Sequence, residues 1–308
     1  MRALKSVGQG AMLLAFAITA VATSPLAAQS PEPVTTPGNG AYPALYEQVA
    51  GLPNHVVYRP RNMDALGTQK LPIYVFGNGG CSADGTSSRN HLLQIASHGY
   101  LAIAPGTIPV PGKKADEPAQ GTPGQLTLAT PANALSIAID WAVRENERAG
   151  SPFYHRLATD QIAASGWSCG GLQAIITAQE PRVKTAVIMN SGVFNGASPI
   201  PGLNATKAMV DTLHGSALYI LGGPDDMAYP NGTDDFRRIT TLPAVLVNIP
   251  VGHGGTYMEP NGGIAAEVVT AWLDWKLKGD AVAAKQFEGG ACGFCKDSRL
   301  TIERKNIR

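Results

Sequence analysis

The sequence predicts an α/β fold, a mostly parallel sheet with helices on both faces. Seven short apolar runs recur along the chain, separated by stretches of helical periodicity. Most of these runs are apolar at nearly every position, the pattern of a strand whose side chains enter an apolar layer on either side. A chain of 308 residues, 44% hydrophobic and 15% charged, is also long enough to bury one sizeable core of this class.

The N-terminal segment stands apart from that pattern. Arg2 and Lys5 precede the apolar run Ala11–Val21, and small residues follow up to Ala27-Ala28. A basic start, a run too short to span a bilayer and a small-residue exit describe a secretory signal peptide over 1–28, with cleavage near Ala28. Its removal takes away two basic residues and no acid, leaving 22 Lys+Arg against 23 Asp+Glu. Such a balance gives no basic block to recruit nucleic acid or an anionic membrane, and no later apolar run is long enough to cross one. The expected location is secreted or periplasmic, where disulfides are permitted. Residues 29–50 begin with a Pro- and Gly-rich stretch and are expected to form a leader to a domain over 51–280, with a tail over 281–308.

Within the domain, His55–Tyr58 is the first expected strand. Leu71–Phe76 is the second, stopped by Gly77-Asn78-Gly79-Gly80, and Tyr100–Ala104 the third, stopped by Pro105. A helix is expected over 88–97 between the last two. Leu135, Ala138, Ile139 and Ala142 repeat at helical spacing and predict a helix over 132–148. Strands follow at Gln161–Ser165, Thr185–Met189, Ala217–Leu221 and Ala244–Val247, with helices over 169–179, 206–213 and 264–278. The Gly- and Pro-rich connections 106–130 and 193–205 are expected to be loops, leaving no room for a large cap domain.

One motif falls on this framework in a telling place. Gly166-Trp167-Ser168-Cys169-Gly170 joins the strand ending at Ser165 to the helix starting at Cys169. With 35 glycines in the chain, about 0.2 G-x-S-x-G matches arise by chance, so the strand-turn-helix context carries the argument. In that context the serine hydroxyl stands at the tip of the sheet, and the glycines allow the chain to reverse. A serine attacks poorly unless a base takes its proton, and the base must be held by an acid. Of the six histidines, His253 lies in a glycine-rich loop just past the last strand. His55, His91, His98, His155 and His214 read as structural. Asp225 and Asp226 follow the strand ending at Leu221, and neighbours in such a turn point different ways, so only one faces the histidine.

The order Ser168, then Asp225 or Asp226, then His253, each after a strand, resembles the α/β-hydrolase superfamily over roughly residues 54–279. Within it the chain is similar to secreted single-domain enzymes of the dienelactone-hydrolase and polyester-hydrolase kind. The resemblance selects Asp226 as the acid, because many such enzymes place it four residues before a proline, here Pro230. It also implies an oxyanion hole made by the Cys169 amide and an amide of the loop after an early strand, at Gly80 or Cys81. Asn78 stands where that loop usually begins with histidine; Asn78 and Trp167 are the residues expected along the cleft, with packing in the core the equal alternative for Trp167. The implied activity is hydrolysis of a small-molecule or polymeric carboxylic ester through an acyl-enzyme, with no metal or organic cofactor. Cleavage of amides by the same groups, and a non-catalytic binding protein of the same fold, are the rival readings.

Four cysteines remain. Cys81 and Cys169 flank the expected oxyanion hole and are either bridged or two buried thiols. Cys292 and Cys295 form a C-x-x-C lacking the further ligands of a zinc site and the helix of a redox unit, so a local disulfide is expected.

Overall fold

In a computed structural model of the chain, residues 35–110 and 126–307 are described, together with Met1. Contacts divide the chain into Met1–Glu32 and Pro33–Arg308, and all the elements below belong to the second unit. The expected signal peptide, residues 29–34 of the leader and residues 111–125 of the first long connection lie outside the described residues.

The strands are β1 (Ala44–Val49), β2 (Leu52–Pro60), β3 (Leu71–Gly77), β4 (Leu101–Pro105), β5 (Leu157–Trp167), β6 (Val183–Met189), β7 (Ser216–Leu221), β8 (Ala244–Asn248) and β9 (Thr301–Lys305). They form one nine-stranded sheet in the order β1-β2-β4-β3-β5-β6-β7-β8-β9. From β4 to β8 every pair is parallel, while β1, β2 and β9 run antiparallel to their neighbours. The helices are α1 (Arg89–Ser97), α2 (Ala134–Glu147), α3 (Cys169–Thr177), α4 (Lys207–Asp211), α5 (Tyr229–Arg238), α6 (Gly263–Lys278) and α7 (Ala281–Ala284). The α/β class is therefore as the sequence predicts. Among the described residues no helix is long and apolar enough to cross a membrane.

The continuous apolar runs now have their cause. Ile73, Val75, Ala164, Ile188 and Tyr219 face a layer that includes Leu135 and Ile139 of α2, Ile175 of α3 and Phe236 of α5. The intervening Tyr74, Phe76, Ala163, Val187 and Leu218 face the opposite layer, with Leu92 and Ile95 of α1 and Val268, Trp272 and Leu273 of α6. At about 25 cal/mol per Å² of apolar surface removed from water, these two layers are the main stabilising contribution.

Two strands escaped the sequence pattern. Residues 44–49, read as part of the leader, form β1, and residues 301–305 of the tail form β9; both are edge strands whose residues are mostly half-buried or exposed. An edge strand has a strand neighbour on one side only and is commonly blunted by charged side chains, so neither carries a continuous apolar run. Helix α5 was also not expected, because Tyr-Pro-Asn-Gly is a turn-like opening. Its folding comes from tertiary contacts: Phe236 is buried in the core, and Asp235 pairs with Lys207 at 2.7 Å.

The topology also selects a position on the sheet edge. From β3 the chain moves through α1 to β4 on one side; from β4 it crosses back through α2 to β5 on the other, and continues outward to β8. The loops leaving β3 and β5 thus diverge, opening a crevice between their carboxyl ends, where ligands bind in open sheets of this type. Gly77–Cys81 leaves β3 at this point and Ser168 leaves β5 there.

Candidate active site

Ser168 follows β5 and is the N-cap residue of α3, with φ 54° and ψ −119°. A left-handed backbone costs a non-glycine residue on the order of 1–3 kcal/mol, so the surroundings must enforce it. They do so by close packing at two glycines. A Cβ on Gly166 would overlap the Gly170 carbonyl, and a Cβ on Gly170 would overlap the carbonyl of Gly77 at the end of β3. The Ser168 amide donates to Met189 O at 2.9 Å, and the Ser168 carbonyl accepts from Ser191 Oγ at 2.6 Å. The hydroxyl is thereby presented at the crevice.

His253, in the loop after β8, brings Nε2 to 2.9 Å from Ser168 Oγ. Its Nδ1 is 2.6 Å from Oδ1 of Asp226, in the turn after β7. Asp226 is 1% exposed, and Oδ1 also accepts from the Ala228 amide while Oδ2 accepts from the Gly222 amide and from Asn190 Nδ2, each at 2.9 Å. Burial pushes the Asp226 carboxyl up, but the bonds from His253, Ala228, Gly222 and Asn190 together outweigh it and hold it below the usual carboxylate range. An ionised carboxylate only accepts, so Nδ1 carries the ring proton, Nε2 is the acceptor, and the Ser168 hydroxyl donates to it. Asp225, the competing acid, is exposed.

The remaining histidines are placed elsewhere. His91 is buried against the Tyr74 hydroxyl at 3.0 Å, His55 Nε2 contacts Ala134 O at 2.9 Å, and His155 is exposed. His98 is beside Gln94 on α1.

On the other wall, residues Gly79–Cys81 make one tight turn in which Gly80 and Cys81 have φ of 61° and 51°. Cys81 and Cys169 form a disulfide with their Cα atoms 5.3 Å apart. The bridge joins this turn to the first residue of α3. The Cys169 amide opens that helix and so has no carbonyl within it to bond, leaving an oriented donor beside the Ser168 hydroxyl at the positive end of the helix. Cys292 and Cys295 form the second disulfide.

The two residues expected along the cleft are placed differently. Asn78 is buried rather than lining it, because its Nδ2 is within 3.0 Å of the carbonyls of Ser82, Asp84 and Pro105 and staples the loop after β3 to the end of β4. Trp167 is half-buried, its ring packed against Gly79 and, at 5.0 Å between centroids, against Tyr257, while its indole N–H donates to His253 O at 3.0 Å. It is a wedge between the Gly79–Cys81 turn and the histidine loop. Sequence reasoning missed Asn190 and Tyr257. The only local trace of Asn190 is an asparagine directly after a strand, a residue tolerant of the left-handed backbone it adopts here with φ 42°.

Met227, next to Asp226, is 77% exposed and Val251, two residues before His253, is 47% exposed. A separate cavity of about 640 Å³, lined by Leu52, His55, Thr107, Leu128, Ala134 and others, includes none of Ser168, Asp226 and His253. No protein-family model matches the chain, and no curated protein does. Chemically, the arrangement can lower the cost of removing a proton from one hydroxyl while offering amide N–H groups to a negative charge formed beside it.

Proposed function

We propose that the protein is a secreted serine hydrolase of the α/β-hydrolase superfamily that cleaves carboxylic esters through an acyl-enzyme. The observation that carries this reading is the unbroken chain Ser168 Oγ, His253 Nε2, His253 Nδ1, Asp226 Oδ1, with links of 2.9 and 2.6 Å. His253 takes the Ser168 proton as Oγ attacks the acyl carbon, and Asp226 stabilises the imidazolium so formed. The carbonyl oxygen becomes an oxyanion held by the Cys169 amide and by an amide of the Gly80-Cys81 turn. The imidazolium then returns its proton to the departing alkoxide. In the second half, His253 deprotonates water, which attacks the acyl-serine; the acyl–Oγ bond breaks, the imidazolium returns its proton to Ser168 Oγ, and the acid departs.

The test combines covalent labelling with substrate profiling. A fluorophosphonate is expected to modify Ser168 alone, identified by peptide mass. Ser168→Ala is expected to fold as the parent does, to resist labelling, and to hydrolyse p-nitrophenyl esters at least about 10³-fold more slowly. Unlabelled Ser168, or ordinary turnover by Ser168→Ala, overturns the proposal. Faster cleavage of anilides or polyester films than of soluble esters would move the substrate class while keeping the apparatus.

A further inference from the structure

Asn190 lies directly after β6, yet its side chain reaches both of the loops that carry the acid and the base. Its Nδ2 donates to Asp226 Oδ2 at 2.9 Å and to the carbonyl of Gly252, the residue before His253, at 3.1 Å. Its Oδ1 accepts from the buried Tyr257 hydroxyl, and its own amide donates to Ile220 O at 2.6 Å. Both hydrogens of one NH₂ group are thus committed, one to each loop. The orientation is fixed, because a flipped amide would set Oδ1 against two acceptors and Nδ2 against a hydroxyl hydrogen. Tyr257 secures this choice: burial holds its phenol well above the usual tyrosine range, so it remains a donor. Its ring is packed in turn on Trp167, whose indole holds the His253 carbonyl.

We infer that Asn190, oriented by Tyr257, is a positioning residue that fixes the acid and the histidine loop in one register for proton transfer. The inference rests on the hydrolase reading. Of the four donors on Asp226, two are amides of its own turn and one is His253 itself, so Asn190 is the donor that ties the acid to another part of the sheet. The titratable groups around the pair are Tyr257, with Tyr74 and His91 behind it, and the exposed Asp225 on the acid's turn. Without the amide, the Asp226 charge is less satisfied and attracts the imidazolium more strongly.

The test uses Asn190→Gly, which removes the amide while tolerating the positive φ, and Tyr257→Phe, which keeps the ring and removes only the donor. Asn190→Gly is expected to lower kcat by about 10- to 100-fold with KM within about twofold. It should also move the acid limb of kcat/KM upward by at least about half a pH unit, with Tyr257→Phe moving it the same way by less. Proton NMR of the full chain gives a second readout, the low-field His253 Nδ1 proton, expected to shift or broaden in both variants. A folded Asn190→Gly with parental kcat, acid limb and low-field resonance overturns the inference. Should Asn190→Gly not fold, Tyr257→Phe decides by the same readouts. Should the parent fail to label with fluorophosphonate, the hydrolase reading fails, and the NMR comparison alone decides whether Asn190 positions the pair.

Discussion

At the scale of single residues, Asp226 is held by donors so arranged that its two oxygens are not equivalent. Oδ2 faces Gly222 N and Asn190 Nδ2, while Oδ1 faces His253 and Ala228 N. An asparagine here would turn its lone oxygen toward the pair of donors on the Oδ2 side, placing its NH₂ against His253 Nδ1. The imidazole would then have to accept at Nδ1 and carry its proton on Nε2, where it can no longer take one from Ser168. Asp226→Asn is therefore expected to lower kcat by about 10⁴-fold with KM nearly unchanged, an effect of the size known for a wrong tautomer in such a relay. Ester hydrolysis and the rate of fluorophosphonate labelling should fall together, and a loss under tenfold would show that Asp226 does not set the tautomer. These three residues were legible in the sequence because each follows a strand and belongs to a chemically distinctive local pattern. Asn190 and Tyr257 were not, because their role arises from loops that meet only after the sheet has formed.

At the scale of elements, the two disulfides have different tasks. Cys81–Cys169 spans 88 residues of sequence and joins the turn after β3 to the start of α3, whereas Cys292–Cys295 closes a loop of three. The chain-entropy argument gives the long bridge about 4.6 kcal/mol of stabilisation and the short one about 2 kcal/mol. Only the long bridge holds the two segments proposed to bind the oxyanion. Replacing Cys81 and Cys169 by alanine is expected to lower the melting temperature more than replacing Cys292 and Cys295, and to lower kcat by about tenfold or more where the second pair leaves it unchanged. Calorimetry and ester kinetics on the two double variants check this, and equal effects of the pairs would refute it. The elements themselves were readable in proportion to their burial. The central strands β3 to β8 announce themselves because both faces are apolar. By contrast β1 (Ala-Leu-Tyr-Glu-Gln-Val) and β9 (Thr-Ile-Glu-Arg-Lys) carry the mixed composition of sheet edges, and α5 exists through Asp235, Lys207 and Phe236 rather than through its own propensity.

At the scale of the whole molecule, the layer between the sheet and α1 contains a histidine that ties stability to pH. The Tyr74 hydroxyl donates to Ser165 Oγ at 2.8 Å, so the His91 Nε2–H must be the donor to the Tyr74 oxygen, 3.0 Å away. That leaves Nδ1 unprotonated, buried and without a hydrogen-bond partner among the described residues. Burial lowers the His91 pKa from 6.5 to about 3, and His55 is lowered by burial as well. For a base depressed in the folded state, the unfolded chain takes up a proton first as the solution is acidified. The contribution of His91 is therefore complete above pH 6.5 and is lost progressively as the pH falls toward 3, amounting to about 3 kcal/mol by pH 4. Carboxylates such as Asp226, held below their usual range in the folded protein, add to the acid sensitivity in the same direction, so the variant must isolate the histidine. His91→Gln keeps a donor for Tyr74 and cannot be protonated. It is expected to be somewhat less stable than the parent at pH 7 and to lose less stability between pH 6.5 and pH 4, the two urea midpoints converging as the solution becomes acidic. Parallel pH dependences for parent and variant would show that His91 is already protonated, or is reached by water, in the folded chain.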